Sequence, residues 1–210
     1  VDPLSCDVHE SGTTCRLLTA VLAAGMGRFR VHGAPRMHER PIGELTAALE
    51  TLGVSFTFEG KPGFPPFVLK TCGLDGGEVG IGMDESSQYL SGVLLAAPLA
   101  RAPLTINIGG SKVVSWPYVG LTLQALENFG VPFSVERKEG GVWSAVDWHT
   151  LKRRAPEACA SGCGLRPGDR AVIRWKATGR ARPTCLPPEP SGPVPYVLKD
   201  CGRIHCRAIA

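Results

Sequence analysis

Ala48-Leu49-Glu50-Thr51-Leu52-Gly53-Val54-Ser55-Phe56 is answered further along the chain by Ala125-Leu126-Glu127-Asn128-Phe129-Gly130-Val131-Pro132-Phe133. Each copy runs from the end of an apolar helix, through a glycine suited to a left-handed cap, into a strand. The likeness extends outward on both sides, so residues 11–58 and 86–137 read as two copies of one unit. A spacing of about 70–80 residues is longer than that of solenoid repeats, which makes each copy a small α/β layer of its own.

In the first copy Leu18–Ala24 predicts a helix, Arg28–Val31 a strand, Ile42–Leu52 a helix and Val54–Phe58 a strand. In the second, Leu90–Ala97 answers the first helix and Leu104–Ile108 the first strand. Pro41 and Pro117 fit the first helical turn, where the missing N–H would have no partner anyway. Leu45, Leu49 and Leu52 share a face, and Leu121, Ala125, Leu126 and Phe129 are expected to share another. The first helix of each copy is apolar nearly all round and is expected to be buried. Between the copies, Phe67–Lys70 and Glu78–Ile81 read as strands, with a hairpin-type turn signal at Asp75-Gly76.

Bulk properties divide the chain in two. Of its 210 residues, those from Leu151 onward carry 12 Lys and Arg against four Asp and Glu, whereas the first 150 carry 11 against 15. The basic part also holds five of the eight Cys (Cys159, Cys163, Cys185, Cys201 and Cys206) and eight of the 18 Pro. Residues 1–150 therefore read as a folded body and 151–210 as an atypical basic tail, disordered or out of frame. No apolar run reaches the ~18 residues of a membrane span. The opening Val1-Asp2-Pro3-Leu4-Ser5-Cys6 has neither Met nor a signal pattern, so an internal piece of a longer protein is expected.

Four clusters can carry chemistry. Gly12-Thr13-Thr14-Cys15-Arg16 opens a helix and can bring backbone N–H groups and a guanidinium to an anion; the plainer reading is an ordinary cap with a solvated Arg. Pro35-Arg36-Met37-His38-Glu39-Arg40-Pro41 is rich in cations for a connection, which suits a carboxylate or phosphate, or else a surface charge cluster. Ser86-Ser87-Gln88-Tyr89-Leu90-Ser91 opens the apolar helix of the second copy, and a buried Gln88 amide needs a partner. Ser115-Trp116-Pro117-Tyr118 stands in the same relation to the next helix. Five His make no metal spacing, and Cys159 with Cys163 lacks a second pair. No phosphate-loop, dinucleotide or Gly-x-Ser-x-Gly pattern is present.

In order and in type these clusters resemble 5-enolpyruvylshikimate-3-phosphate (EPSP) synthases. The carrying residues are Ser11–Arg16, Gly33–Gly43, Ser86–Ser91 and Ser115–Tyr118, within a span from about Asp7 to Trp148. The resemblance implies an α/β enolpyruvyl transferase fold of repeated βαβαββ units with helices inside, an inside-out barrel of which this chain is a partial first domain. It implies transfer of the enolpyruvyl group of phosphoenolpyruvate to shikimate 3-phosphate, in the shikimate pathway to chorismate and the aromatic amino acids. Ser86, Ser87, Gln88, Ser115 and Tyr118 would hold shikimate 3-phosphate. Gly12, Arg36 and Gln88 would hold phosphoenolpyruvate. It implies no cofactor and no metal, and acid–base groups in a second domain absent from this chain. A cytoplasmic monomer, with no nucleic-acid or membrane partner, is the expectation, and the lone fragment is expected to be inactive.

Read in a neighbouring frame, the tail changes character. Trp175-Lys176 then forces Glu, and Asp200-Cys201 and His205-Cys206 each force Leu. Around them the shifted frame permits Val-Glu-Gly-Asp-Trp-Ser-Gly-Ala-Ser and Gly-Leu-Arg-Pro-Asp-Ser-Leu-Gln-Gly-Asp, both similar to the family's continuation. A frameshift between about Lys152 and Arg174 is expected, and an intact reading frame across that interval of the gene would exclude it. The alternatives to a frameshift are a disordered basic tail or a genuine, unrelated extension. The alternatives to the enzymatic reading are a non-catalytic binding module whose tail contacts nucleic acid, and a non-functional gene remnant.

Overall fold

The computed structural model describes residues 2–109, 115–139, 142–145 and 170–175. The chain divides into two compact units, Val1–Arg180 and Ala181–Ala210, and every described residue lies in the first. Its elements begin with β1 (Leu4–Asp7), α1 (Gly12–Ala23), β2 (Gly27–His32), α2 (Gly43–Glu50), β3 (Ser55–Phe58) and β4 (Phe67–Thr71). The same βαβαββ order then repeats as β5 (Gly77–Gly82), α3 (Ser87–Ala96), β6 (Leu104–Gly109), α4 (Trp116–Asn128), β7 (Phe133–Glu139) and β8 (Val142–Ala145). A last strand, β9, spans Arg170–Trp175.

Each βαβαββ repeat builds its own sheet. The first has the order β1-β2-β4-β3 and the second β5-β6-β9-β7-β8. In both, the first two strands are parallel, because a helix carries the chain back between them; the remaining pairs are antiparallel. The helix layer lies against both sheets: α1 packs on α3, touches β2 and β4, and α3 touches β5. Leu90, Val93 and Leu94 of α3 are fully buried, as are Ala20 and Ala23 of α1.

The paired stretches that open the sequence reading form the same cap. Gly53 and Gly130 have φ of 90° and 70°. The Gly53 N–H donates to Glu50 O and the Val54 N–H to Leu49 O, while Gly130 donates to Glu127 O and Val131 to Leu126 O. These are the two bonds of a Schellman motif, which satisfy carbonyls that the helix end leaves without partners.

Several expectations are corrected. Phe67–Lys70 and Glu78–Ile81 lie in different sheets, so Asp75-Gly76 is part of a crossover and not a hairpin. The segment is pinned outward by bonds from Asp75 N–H to Leu52 O and from Gly77 N–H to Pro103 O, and by Arg101 on the Asp75 carboxylate at 3.0 Å. Pro41 precedes the first residue of α2 by two positions, whereas Pro117 does lie in the first turn of α4. Helix α3 is buried nearly all round, but α1 buries one side and leaves Val21 exposed. In α4 the buried face is Val119, Leu123 and Leu126; Leu121, Ala125 and Phe129 point outward. A helix apolar on most sides gives no period to choose between faces, and contact with α3 decides.

Strand β9 falls within 151–210 and lies between β6 and β7, the place that β4 holds in the first unit. The remainder of the tail, including its five cysteines, lies outside the described residues.

Candidate functional site at the helix starts

Ser11 caps α1: its Oγ accepts the Thr14 N–H at 3.1 Å. Gly12 follows, buried, with Nη1 of Arg40 2.6 Å from where a Cβ would stand, so that guanidinium lies over the helix start. Arg40 closes the short 3-10 turn Pro35–Glu39, which is anchored by buried Met37 and by the Ala34 N–H on His9 O.

Ser86 caps α3 with extended backbone, φ −161° and ψ 129°, and its Oγ accepts the Gln88 N–H at 3.2 Å. Ser86 and Ser87 are both buried. The Gln88 side chain spans the two helix starts. Its Oε1 accepts from Nη1 of Arg16 at 2.8 Å, and its Nε2 donates to Thr13 Oγ1 at 2.8 Å. Arg16 also donates to Ser86 Oγ at 3.3 Å and, through Nη2, to the Pro41 carbonyl at 3.3 Å. Its guanidinium stands 5.1 Å from the centre of the Tyr89 ring.

Tyr89 supports this arrangement from beneath. The buried phenol donates to the Pro41 carbonyl at 2.8 Å, with a Glu85 oxygen 3.2 Å away. Burial pushes its pKa up to about 12, with Arg16 working in the opposite sense. The hydroxyl therefore stays protonated across physiological pH and keeps its donor role.

The third helix start is open. Ser115 sits in the left-handed region at φ 57°, with no side-chain cap bond, and Tyr118 is 65% exposed. Within this start the Tyr118 N–H donates to Ser115 O, and one turn on the Thr122 hydroxyl lies 3.1 Å from Tyr118 O and 3.2 Å from Ser91 Oγ of α3. Arg36 is exposed, with no ion pair among the described residues.

Of the residues singled out from sequence, the structure joins Gly12, Ser86 and Gln88 into one connected patch, with Ser87 buried beside it. Arg36 stands on the neighbouring turn, and Ser115 and Tyr118 on the neighbouring helix; among the described residues none of these three bonds to that patch. Arg16 is half-buried and hydrogen-bonded, not the solvated side chain that an ordinary cap would carry. Thr13, Arg40, Pro41 and Tyr89 lie within the stretches singled out from sequence, but the bonds of Thr13, the Pro41 carbonyl and the Tyr89 phenol were not anticipated. The need of Gln88 for a partner was visible in the sequence; the identity of that partner, 72 residues away, was not.

The protein is α/β, built of two βαβαββ repeats, and it brings the starts of α1 and α3 together beside the guanidinium groups of Arg16 and Arg40. The chain belongs to the EPSP synthase (3-phosphoshikimate 1-carboxyvinyltransferase) family, which it matches over residues 2–143. Among relatives, it is 52% identical over 122 residues to the 3-phosphoshikimate 1-carboxyvinyltransferase of Marinomonas sp. (strain MWYL1), and 48% identical to that of Shewanella denitrificans. Both matches cover 58% of this chain, which spans 28% of the length of these relatives. A solved EPSP synthase from Acinetobacter baumannii superposes on 84% of this chain and 48% of its own, at 16% identity and a TM-score of 0.45.

Proposed function

We propose that this chain supplies the shikimate 3-phosphate-binding part of an enolpyruvyl transferase, a cytoplasmic enzyme that moves the enolpyruvyl group of phosphoenolpyruvate onto the 5-hydroxyl of that substrate and releases phosphate. Ser86, Ser87, Gln88, Ser115 and Tyr118 hold shikimate 3-phosphate; Gly12, Arg36 and Gln88 hold phosphoenolpyruvate. The observation that carries this reading is the side chain of Gln88, held between Thr13 and Arg16, which sets the start of α3 against the start of α1. One amide thus borders both proposed subsites. Fixed hydroxyl and N–H donors at helix starts need no reorganisation as charge shifts from the transferred group to the departing phosphate. Neither the assigned residues nor the groups around them form a metal-ligating cluster among the described residues.

The acid–base groups of the reaction belong, in this reading, to sequence beyond the matched 28% of the relatives. The 210-residue chain is then expected to bind shikimate 3-phosphate weakly and to turn over little or nothing. Calorimetric titration of shikimate 3-phosphate checks the first point. Gln88→Ala should weaken binding roughly ten- to hundredfold, the effect of losing a hydrogen bond to a charged group. A steady-state assay with both substrates checks the second. Robust turnover by the isolated chain, or binding indifferent to Gln88, would refute the assignment.

A further inference from the structure

We infer that Arg16 is the positioning residue that turns Gln88 into a fixed N–H donor for the anionic substrate. This deepens the functional reading above and rests on it for the identity of that substrate. The inference starts from the chemistry of the guanidinium: it has five N–H donors and no acceptor. Whatever atom of the Gln88 amide lies 2.8 Å from Arg16 Nη1 must therefore be the oxygen. The nitrogen is then forced to the opposite side, where it meets Thr13 Oγ1 at 2.8 Å. Nε2 carries two hydrogens, Thr13 takes one, and the second has no partner among the described residues. Without the guanidinium, the amide could rotate by half a turn and present an acceptor oxygen to an anion, which repels it.

Arg16 is itself held in place, as a positioning residue has to be. Its other bonds go to Ser86 Oγ and to the Pro41 carbonyl, and the buried Tyr89 ring lies against its face. The Tyr89 hydroxyl shares the same Pro41 carbonyl. One side chain thus fixes the α1 start, the α3 start and the end of the cationic turn with respect to the amide. A lysine retains the charge but not the fork, so it cannot hold Gln88, Ser86 and Pro41 together.

The test is read on the Gln88 side chain itself. In the full 210-residue chain labelled with nitrogen-15, the Gln88 Nε2 proton pair is assigned by its loss in Gln88→Met. Its solvent exchange is then compared in the wild type, Arg16→Lys and Arg16→Met. Expected is exchange of the Nε2 proton bonded to Thr13 about tenfold faster in Arg16→Met, because an amide freed from the guanidinium no longer keeps that bond, with Arg16→Lys in between. Unchanged Gln88 exchange and shifts in a folded Arg16→Met protein would overturn the inference. If Arg16→Met does not fold, Arg16→Lys decides alone, and wild-type behaviour in it overturns the inference too. Adding shikimate 3-phosphate to the same samples separates the two claims. An Arg16-dependent amide that ignores the ligand supports the positioning role while removing the substrate assignment.

Discussion

At the scale of single residues, chemistry was legible wherever a side chain has one satisfactory environment. A carboxamide one step inside an apolar helix has to find donors and acceptors, so Gln88 stood out before its neighbours were known. Arg16 read equally well as a guanidinium for an anion or as a solvated side chain, because its partners come from elements far along the chain. Two consequences follow for titrating groups. Burial pushes the Cys15 thiol up to about 11, so it stays a neutral, slow nucleophile. Alkylation at pH 8 followed by peptide mass mapping should label exposed Cys72 well before Cys15. Glu44 has its carboxyl raised from the ordinary 4.5, first by burial and then by neighbouring Glu85 and Asp84, against the Gly82 N–H that lowers it. An acid raised in the folded state contributes stability below its unfolded value, and that contribution is lost as pH rises through the folded one. Glu44→Gln should therefore melt slightly higher than wild type at pH 7, with the gap closing towards pH 4.

At the scale of elements, the order of strands and helices was readable because each has a local cause. The glycine caps after α2 and α4, the alternation of β4 and β6, and the apolar run of α3 each speak for themselves. The choice of face on α4 was not readable, since its leucines ring the helix and the pattern carries no single period. Packing against α3 settles it, which gives a sharp contrast between neighbours. Leu123→Ala, at a site 1% exposed, should cost about 2–5 kcal/mol in denaturant unfolding. Leu121→Ala, 61% exposed, should change stability by no more than about 0.5 kcal/mol. Equal costs would return α4 to the orientation expected from its sequence. The cap after α2 is testable in the same way. Gly53→Ala should destabilise by about 1–2 kcal/mol, because φ is 90° there and the new methyl meets the Asp75 carboxylate.

At the scale of the whole molecule, the duplication was the strongest signal, since two copies of one pattern fold by one set of rules. Both units keep the same element order and the same cap bonds. They differ where β9 enters the second sheet in the place that β4 takes in the first. Nothing in the composition of 151–210 announced that strand, because a basic, proline-rich background masks the short apolar stretch Ala171-Val172-Ile173. The family match ends at residue 143, so β9 lies beyond it. The candidate site was half legible: its hydroxyls and amide follow from helix-start chemistry, whereas the clamp that unites them depends on how α1 packs on α3. The most direct test of that union is a crystal structure of this chain with shikimate 3-phosphate. The account predicts the phosphate on the hydroxyls of Ser86, Ser87 and Ser115, with the Gln88 amide nitrogen towards the ligand. A ligand bound elsewhere, or turned away from the starts of α3 and α4, would contradict it.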